Sequence, residues 1–326
     1  MQVTLVFTVL NEAASLPVLL DSIASQTRLP DEVIACDGGS SDGTVALLRN
    51  ERRFPMRVIE ALGANISQGR NLAIAAATHE VIACTDAGVR LHPCWLEHIV
   101  APLFTSQPDG NPVAVAGVFL PDPQTTFELA MGATVLPALE DIRPAAFLPS
   151  SRSFAFRKSA WRAVGGYPEW LDYCEDLIFD LRLRARFGPF AFAPRAIVYF
   201  RPRSSLTAFF KQYYRYARGD GKADLFLKRH LVRYATYLAA LPAILAGVAL
   251  GEPLVKLAAL LALLGGAAAY TSGPYRRLVR LWRTWPASER LKAAALVPVI
   301  RLVGDVAKML GYPVGLWWRW RRRLPR

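Results

Sequence analysis

Histidine, cysteine and methionine are scarce in this 326-residue chain, at four of each. The cysteines (Cys36, Cys84, Cys94, Cys174) form no CxxC pair and have no histidine at metal-ligand spacing. A cysteine-ligated metal and a disulfide framework are thereby disfavoured, and the thiols read as reduced, mostly buried side chains of a cytosolic domain. The opening stretch MQVTLVFTVLNEAAS lacks a basic n-region and soon reaches Glu12, so it reads as a first β-strand and not as a signal peptide. Acidic residues are nearly missing from the last third. Residues 201–326 carry 5 Asp+Glu against 23 Lys+Arg, a balance of +18, whereas residues 1–200 carry 21 against 16, a balance of −5. A nucleic acid or an anionic membrane would suit such a tail. The apolar and aromatic residues between its charges favour the membrane, and no nucleic-acid reading motif accompanies them.

The length allows one large domain or two smaller ones. Val3–Val9 is a continuous apolar, β-branched run suited to a strand buried on both faces. Helical spacing of Leu16, Leu19, Leu20 and Ile23 follows, then strand Glu32–Cys36, helix Thr44–Asn50, strand Met56–Glu60, a helix from about Ser67 to Ala77 and strand Val81–Thr85. This alternation predicts an α/β fold with a mostly parallel central sheet covered by helices. Such sheets bind ligands beyond the carboxyl ends of their strands, where Asn11, Asp37, Asn65 and Asp86 all fall. Further on, a helix over Pro93–Phe104 and a strand over Val113–Phe119 are expected, and residues 121–150 are Pro-rich and unassigned. Helices at Trp161–Gly166 and Glu175–Phe187 and a strand at Phe190–Phe200 complete this part.

After Arg233 the composition changes. Tyr234–Leu250 and Leu254–Tyr270 are apolar segments separated by GEP and interrupted only by Lys256, which predicts a membrane hairpin over about 234–270. Basic flanks, KRHLVR before and YRRLVRLWR after, place both ends on the cytoplasmic side. Over about 293–312, Arg301, Asp305 and Lys308 form a polar stripe on an otherwise apolar helix, the pattern of an amphipathic helix lying in the interface. The Trp- and Arg-rich end, GLWWRWRRRLPR, reads as an interfacial anchor. The domain expectation is therefore 1–220 for a soluble catalytic part and 221–326 for a membrane region.

Four stretches carry the chemistry: TVLNEAASLPVLLDSIASQTRLPDEVIACDGGSSDGT, ANISQGRNLAIAAATHEVIACTDAG, SFAFRKSAWRAVGGYPEWLDYCED and QYYRYARGDG. In this order they resemble the family 2 inverting glycosyltransferases over about residues 3–220. The resemblance implies a GT-A-type fold and a nucleotide-diphosphate sugar as donor. Asn11 and Glu12 would line the nucleotide cleft, Asp37 would contact base or ribose across the turn holding Gly39, and Arg70 would help hold the nucleotide. Asp86 corresponds to the first carboxylate of the family's Asp-x-Asp, and Gly88 replaces the second. Mg²⁺ commonly takes only one or two carboxylates beside substrate phosphates. Asp86 with a diphosphate is therefore enough to position Mg or Mn, the alternative being that Arg70 or Arg215 neutralises the leaving group. Glu175-Asp176 resembles the family's base motif, with Asp176 deprotonating the acceptor and Glu175 assisting. Gln212, Arg215 and Tyr216 resemble the Gln-x-x-Arg-Trp motif of polysaccharide synthases, with Tyr for Trp, on the acceptor and diphosphate side. Arg152 would line the acceptor cleft.

These implications combine into a membrane-anchored inverting glycosyltransferase at the cytoplasmic membrane, its catalytic domain in the cytoplasm. It would transfer sugar to a hydroxyl on a lipid or lipid-linked glycan, with anionic lipid as a partner and no nucleic acid. Polyprenyl phosphate as acceptor, and an inactive sugar-nucleotide-binding scaffold, are the alternatives.

Overall fold

The computed structural model describes residues 2–105 and 111–323. The chain divides into two compact units, Met1–Pro121 with Pro137–Arg201 and Asp122–Leu136 with Pro202–Arg326.

The first unit opens with the predicted alternation: β1 (Val3–Val9), α1 (Leu16–Ala24), β2 (Glu32–Asp37), α2 (Thr44–Asn50), β3 (Met56–Glu60), α3 (Ile66–Ala76) and β4 (Val81–Cys84). Next come β5 (Val89–Leu91), α4 (Trp95–Phe104) and β6 (Ala114–Pro121); α5 (Thr126–Val135) lies in the second unit. β7 (Phe154–Arg157), α6 (Lys158–Ala163), α7 (Glu175–Phe187) and β8 (Ala191–Phe200) return to the first. All eight strands join one sheet in the order β3-β2-β1-β4-β7-β6-β8-β5. The β3-β2-β1-β4 half is parallel throughout. β6 and β8 are also parallel, whereas β7 runs antiparallel to β4 and β6, and β5 antiparallel to β8.

Period-2 alternation in β1 divides the core between the two faces of the sheet. Val3, Leu5, Phe7 and Val9 join the cluster packed by Leu16, Leu19 and Ile23 of α1 and Trp95 and Ile99 of α4. Val6 joins the opposite cluster with Ala73 and Ile74 of α3 and Phe179 and Leu183 of α7. A strand covered by helices on both sides is apolar or β-branched throughout, and the buried Thr4 satisfies its hydroxyl on Glu32 at 2.8 Å.

The second unit is helical. α5 packs with α8 (Leu206–Ala223), α11 (Pro253–Leu281) and α12 (Ala287–Arg321) through Leu129, Met131, Phe209, Leu278, Val297 and Ile300. α9 (Leu227–Ala235), a π turn at Thr236–Ala240 and α10 (Leu241–Leu250) form one continuous helical rod, Leu227–Leu250. Pro242 cannot donate to a carbonyl one turn back, and the π turn sits where that bond is lost. Leu227–Leu250 and Pro253–Leu281 are 24 and 29 residues long and apolar enough to cross a membrane. α12 is longer than the expected 293–312, because Pro298 and Pro313 are accommodated within it.

α8 and α12 meet along glycines. A Cβ at Gly311 would overlap the Tyr214 carbonyl oxygen, one at Gly315 the Arg218 carbonyl oxygen, and one at Gly221 the Tyr312 carbonyl oxygen. Backbone against backbone leaves no side chain to yield. Gly311→Val is expected to cost about 3 kcal/mol or more, the upper range for overpacking, and thermal unfolding in detergent would show the lowered Tm.

Candidate active site

Three neighbouring parallel strands deliver their carboxyl ends to one edge. β1 runs on to Asn11 and Glu12, β2 ends at Asp37, and β4 leads through Thr85 to Asp86. Val9 is the ladder partner of Asp37, so the first two loops begin side by side.

Asp37 is buried, and its Oδ2 accepts hydrogen bonds from the Gly39 and Ser40 amides at 2.8 and 2.9 Å. Its Oδ1 is buried without a hydrogen-bond partner. A carboxylate oxygen in that condition is an acceptor awaiting a donor. Gly39 has φ +105°, and a Cβ there would run into the Leu62 side chain, so the turn requires glycine. Asn11 sits in the left-handed region at φ 55°. Its amide donates to Ser40 Oγ at 2.8 Å and its Oδ1 accepts from the Ser41 amide at 2.9 Å, stitching the loops after β1 and β2 together. The Glu12 amide donates to Thr44 Oγ1 at 2.9 Å, and its carboxylate accepts from Ser15 Oγ. Glu12 Oε2 stands 4.0 Å from where a Cβ on Gly88 would be. It therefore faces the space that a second Asp-x-Asp carboxylate would enter.

α3 is fixed by a capping box: the Gln68 amide donates to Asn65 Oδ1 and the Asn65 amide to Gln68 Oε1. Arg70, the fifth residue of α3 and 3% exposed, donates through Nη1 to Glu175 Oε1 and through Nη2 to Asp86 Oδ1, both at 2.7 Å. The Tyr167 ring lies 5.3 Å from its guanidinium carbon. Asp86 Oδ2 is 3.3 Å from Arg152 Nε. Arg152 in turn stacks over Phe200 at 4.4 Å and Phe119 at 5.6 Å, and its carbonyl accepts from Thr85 Oγ1 at 3.0 Å. One carboxylate thus faces two guanidinium groups.

The charges follow from this geometry. Burial alone would raise the Asp86 carboxyl, but Arg70 and Arg152 outweigh it and hold it below the ordinary carboxylate range. Glu175 is raised to about 7, by burial first and by the neighbouring Asp176 charge second, against the pull of Arg70. Asp176 is half-buried, and its Oδ1 accepts from the Leu177 amide at 2.8 Å. Cys174, at φ 65°, turns the chain into α7 just ahead of this pair. One turn after Asp176, the buried Asp180 is pushed well up, by burial and then by Asp176.

Ion pairs and hydrogen bonds thus bring together Arg70, Asp86, Arg152 and Glu175, and separately Asn11, Asp37 and the turn at Gly39. Gln212, Arg215 and Tyr216 lie on α8 in the second unit, where Gln212 Nε2 donates to Tyr216 OH at 2.8 Å across one helical turn. Three residues escaped the sequence reading. Tyr167 lies under Arg70 and pairs its hydroxyl with Ser151 Oγ at 3.0 Å. Asn71 donates to the Tyr167 carbonyl and accepts from its amide, each at 2.9 Å, clamping the GGYPEW loop to α3. Asp180 could have been found, since it follows Asp176 at i+4 on one helix face; the other two carry no local signal.

As a metal site the donor set is thin. Among the described residues no group of three or more His, Cys, Asp or Glu could hold an ion. Asp86 is the one carboxylate left by Gly88, and with Arg70 on Oδ1 and Arg152 near Oδ2 it suits only an ion whose remaining ligands are diphosphate oxygens and water.

Residues 4–162 match the family Glycosyl transferase family 2, and residues 134–286 match Glycosyl transferase family group 2. The O-antigen chain rhamnosyltransferase RfbN of Salmonella typhimurium is 25% identical over 213 residues, 61% of this chain and 66% of that protein. The succinoglycan biosynthesis protein ExoA of Rhizobium meliloti is 27% identical over 315 residues, 93% of this chain and 91% of that one. Among solved structures, the mannosyltransferase PcManGT from Pyrobaculum calidifontis, in complex with GDP-Man and Mn²⁺, superposes with a TM-score of 0.61 at 22% identity over 91% of this chain and 87% of its own. S. aureus TarS 1–349 in complex with UDP gives 0.50 at 17%, covering 99% and 92%. Glycosyl transferase family 2 domains thus account for residues 4–162 and 134–286, on a fold of the GT-A type.

Proposed function

We propose that this enzyme transfers a sugar, with inversion, from a nucleotide-diphosphate sugar to a hydroxyl on a lipid-linked envelope glycan at the cytoplasmic face of the membrane. One observation carries the reading: a single buried arginine grips Asp86 and Glu175, leaving Asp176 as the half-exposed carboxylate beside them. The three acids then have three tasks. Asp86 is fixed for the donor, Glu175 supports, and Asp176 removes the acceptor's proton. The acceptor oxygen attacks the anomeric carbon opposite the diphosphate, and the bond to the diphosphate breaks with its electron pair leaving on phosphate oxygen. The orphaned Asp37 Oδ1 suits a base N–H or ribose O–H of the donor. Arg152, held between two aromatic rings, is a pre-positioned cation for the leaving group. A divalent Mg or Mn ion held by Asp86 and the donor's own phosphates would add charge neutralisation there.

The acceptor class is supported by the names of RfbN, an O-antigen chain rhamnosyltransferase, and ExoA, a succinoglycan biosynthesis protein, and by an intact base motif, since a phosphate acceptor is already ionised at pH 7. The membrane reading rests on the two apolar rods, whose exposed leucines include Leu238, Leu250, Leu254 and Leu261. Basic residues at the open end of the hairpin support a cytoplasmic location for that end.

Three outcomes are expected. Asp176→Asn lowers turnover about 10²–10⁴-fold, while calorimetry shows nucleotide-sugar binding within roughly twofold of wild type; near-normal turnover would instead indicate an ionised acceptor such as polyprenyl phosphate. Gly88→Asp finds open space next to Glu12 and adds a carboxylate ligand, so the Mn²⁺ concentration for half-maximal donor binding drops by roughly tenfold, about 1.4 kcal/mol. Glu175 keeps a proton in the folded chain up to about 7 but loses it near 4.5 when unfolded. Between those values the native state binds the extra proton, so this group's contribution to stability falls as pH rises. Glu175→Gln flattens that slope, which differential scanning calorimetry between the two values would register.

A further inference from the structure

The polar stripe of α12 is turned towards the base of the hairpin. Asp305 Oδ1 accepts from Arg233 Nε at 2.8 Å, and Oδ2 accepts from Tyr270 OH at 2.7 Å and Tyr237 OH at 3.1 Å. The two phenol oxygens are themselves 2.9 Å apart. Lys308 Nζ is 3.8 Å from Asp305 Oδ1, and the Arg301 guanidinium carbon lies 4.1 Å over the Tyr270 ring. Among the described residues no carboxylate pairs with Arg301. Three cations, Arg233, Arg301 and Lys308, therefore stand against two acids, Asp305 and Asp220, the latter shared with His230.

The level of this cluster is informative. Tyr237 and Tyr270 sit where the apolar runs begin and end, and their meeting marks a layer. On the tip side of it the rods expose Leu238, Leu245, Leu257 and Leu261; Lys256 lies next to the tip. Paired tyrosines at the end of an apolar span mark the depth of lipid headgroups. Excess positive charge there is unfavourable until an anion joins it, and the anions at that depth are lipid phosphates.

We propose that Arg301 and Lys308 bind the phosphate group of an anionic membrane lipid. The inference rests on the membrane reading above and assigns it a site.

The test uses the full chain in neutral detergent, titrated with phosphatidylglycerol or phosphatidylcholine and followed by native mass spectrometry. Wild type is expected to retain phosphatidylglycerol about tenfold better, the effect of one or two well-placed cations. R301Q/K308Q loses the preference, whereas K228Q/R229Q, which removes the same charge from exposed positions of α9, keeps it. Each single variant loses part of it, so the effect is readable even if the double variant fails to fold, and unchanged thermal unfolding certifies the others. Retained preference in R301Q/K308Q, or equal loss in K228Q/R229Q, overturns the site. Displacement of the lipid by inorganic phosphate would overturn its assignment to a lipid-borne phosphate. Failure of wild type to float with neutral vesicles would overturn the membrane reading itself, a result distinct from loss of the site.

Discussion

Arg70 holds the candidate site together. A guanidinium offers its donors in a fixed fork, and here the two arms reach acids from different segments, Asp86 after β4 and Glu175 at the start of α7. Taking such a cation out of water is tolerable only because both arms are satisfied and the Tyr167 ring covers it. The arrangement ties the donor edge of the sheet to the helix that carries the proposed base. It also explains the unequal acids. Asp86 has Arg70 and Arg152 and stays ionised, whereas Glu175 shares Arg70 and has Asp176 as a like-charged neighbour.

The parallel half of the sheet was legible because long apolar runs, helical spacings and Gly-rich turns alternate there without interruption. β5 and β7 were not, since three and four residues are too few to display a period. α5 lay hidden in the Pro-rich stretch because its buried residues, from Glu128 to Thr134, surround the helix. With no polar face there is no stripe to read. Among the site residues, strand ends marked Asp37 and Asp86 as pocket positions. That Arg70 would bridge Asp86 to a residue 105 positions further on is a tertiary fact with no local trace.

Asn11 shows how a motif residue can serve the scaffold. Its Oδ1 is occupied by the Ser41 amide, and what that bond fixes is the shape of the loop. Glu12 is placed differently. Its carboxylate faces the gap at Gly88, so the edge of the cleft keeps an acid although the second position of the Asp-x-Asp has lost one.

The glycine seam between α8 and α12 has a mechanical consequence. With carbonyl oxygens of each helix set directly against glycines of the other, neither rod can slide by a turn or roll about its axis without collision. The pair behaves as one stiff beam, in which Gln212 and Arg215 flank Tyr214 at the seam itself and the tryptophan-rich terminus follows just beyond Gly315. Any tilt imposed on the terminus is handed without slack to those two side chains.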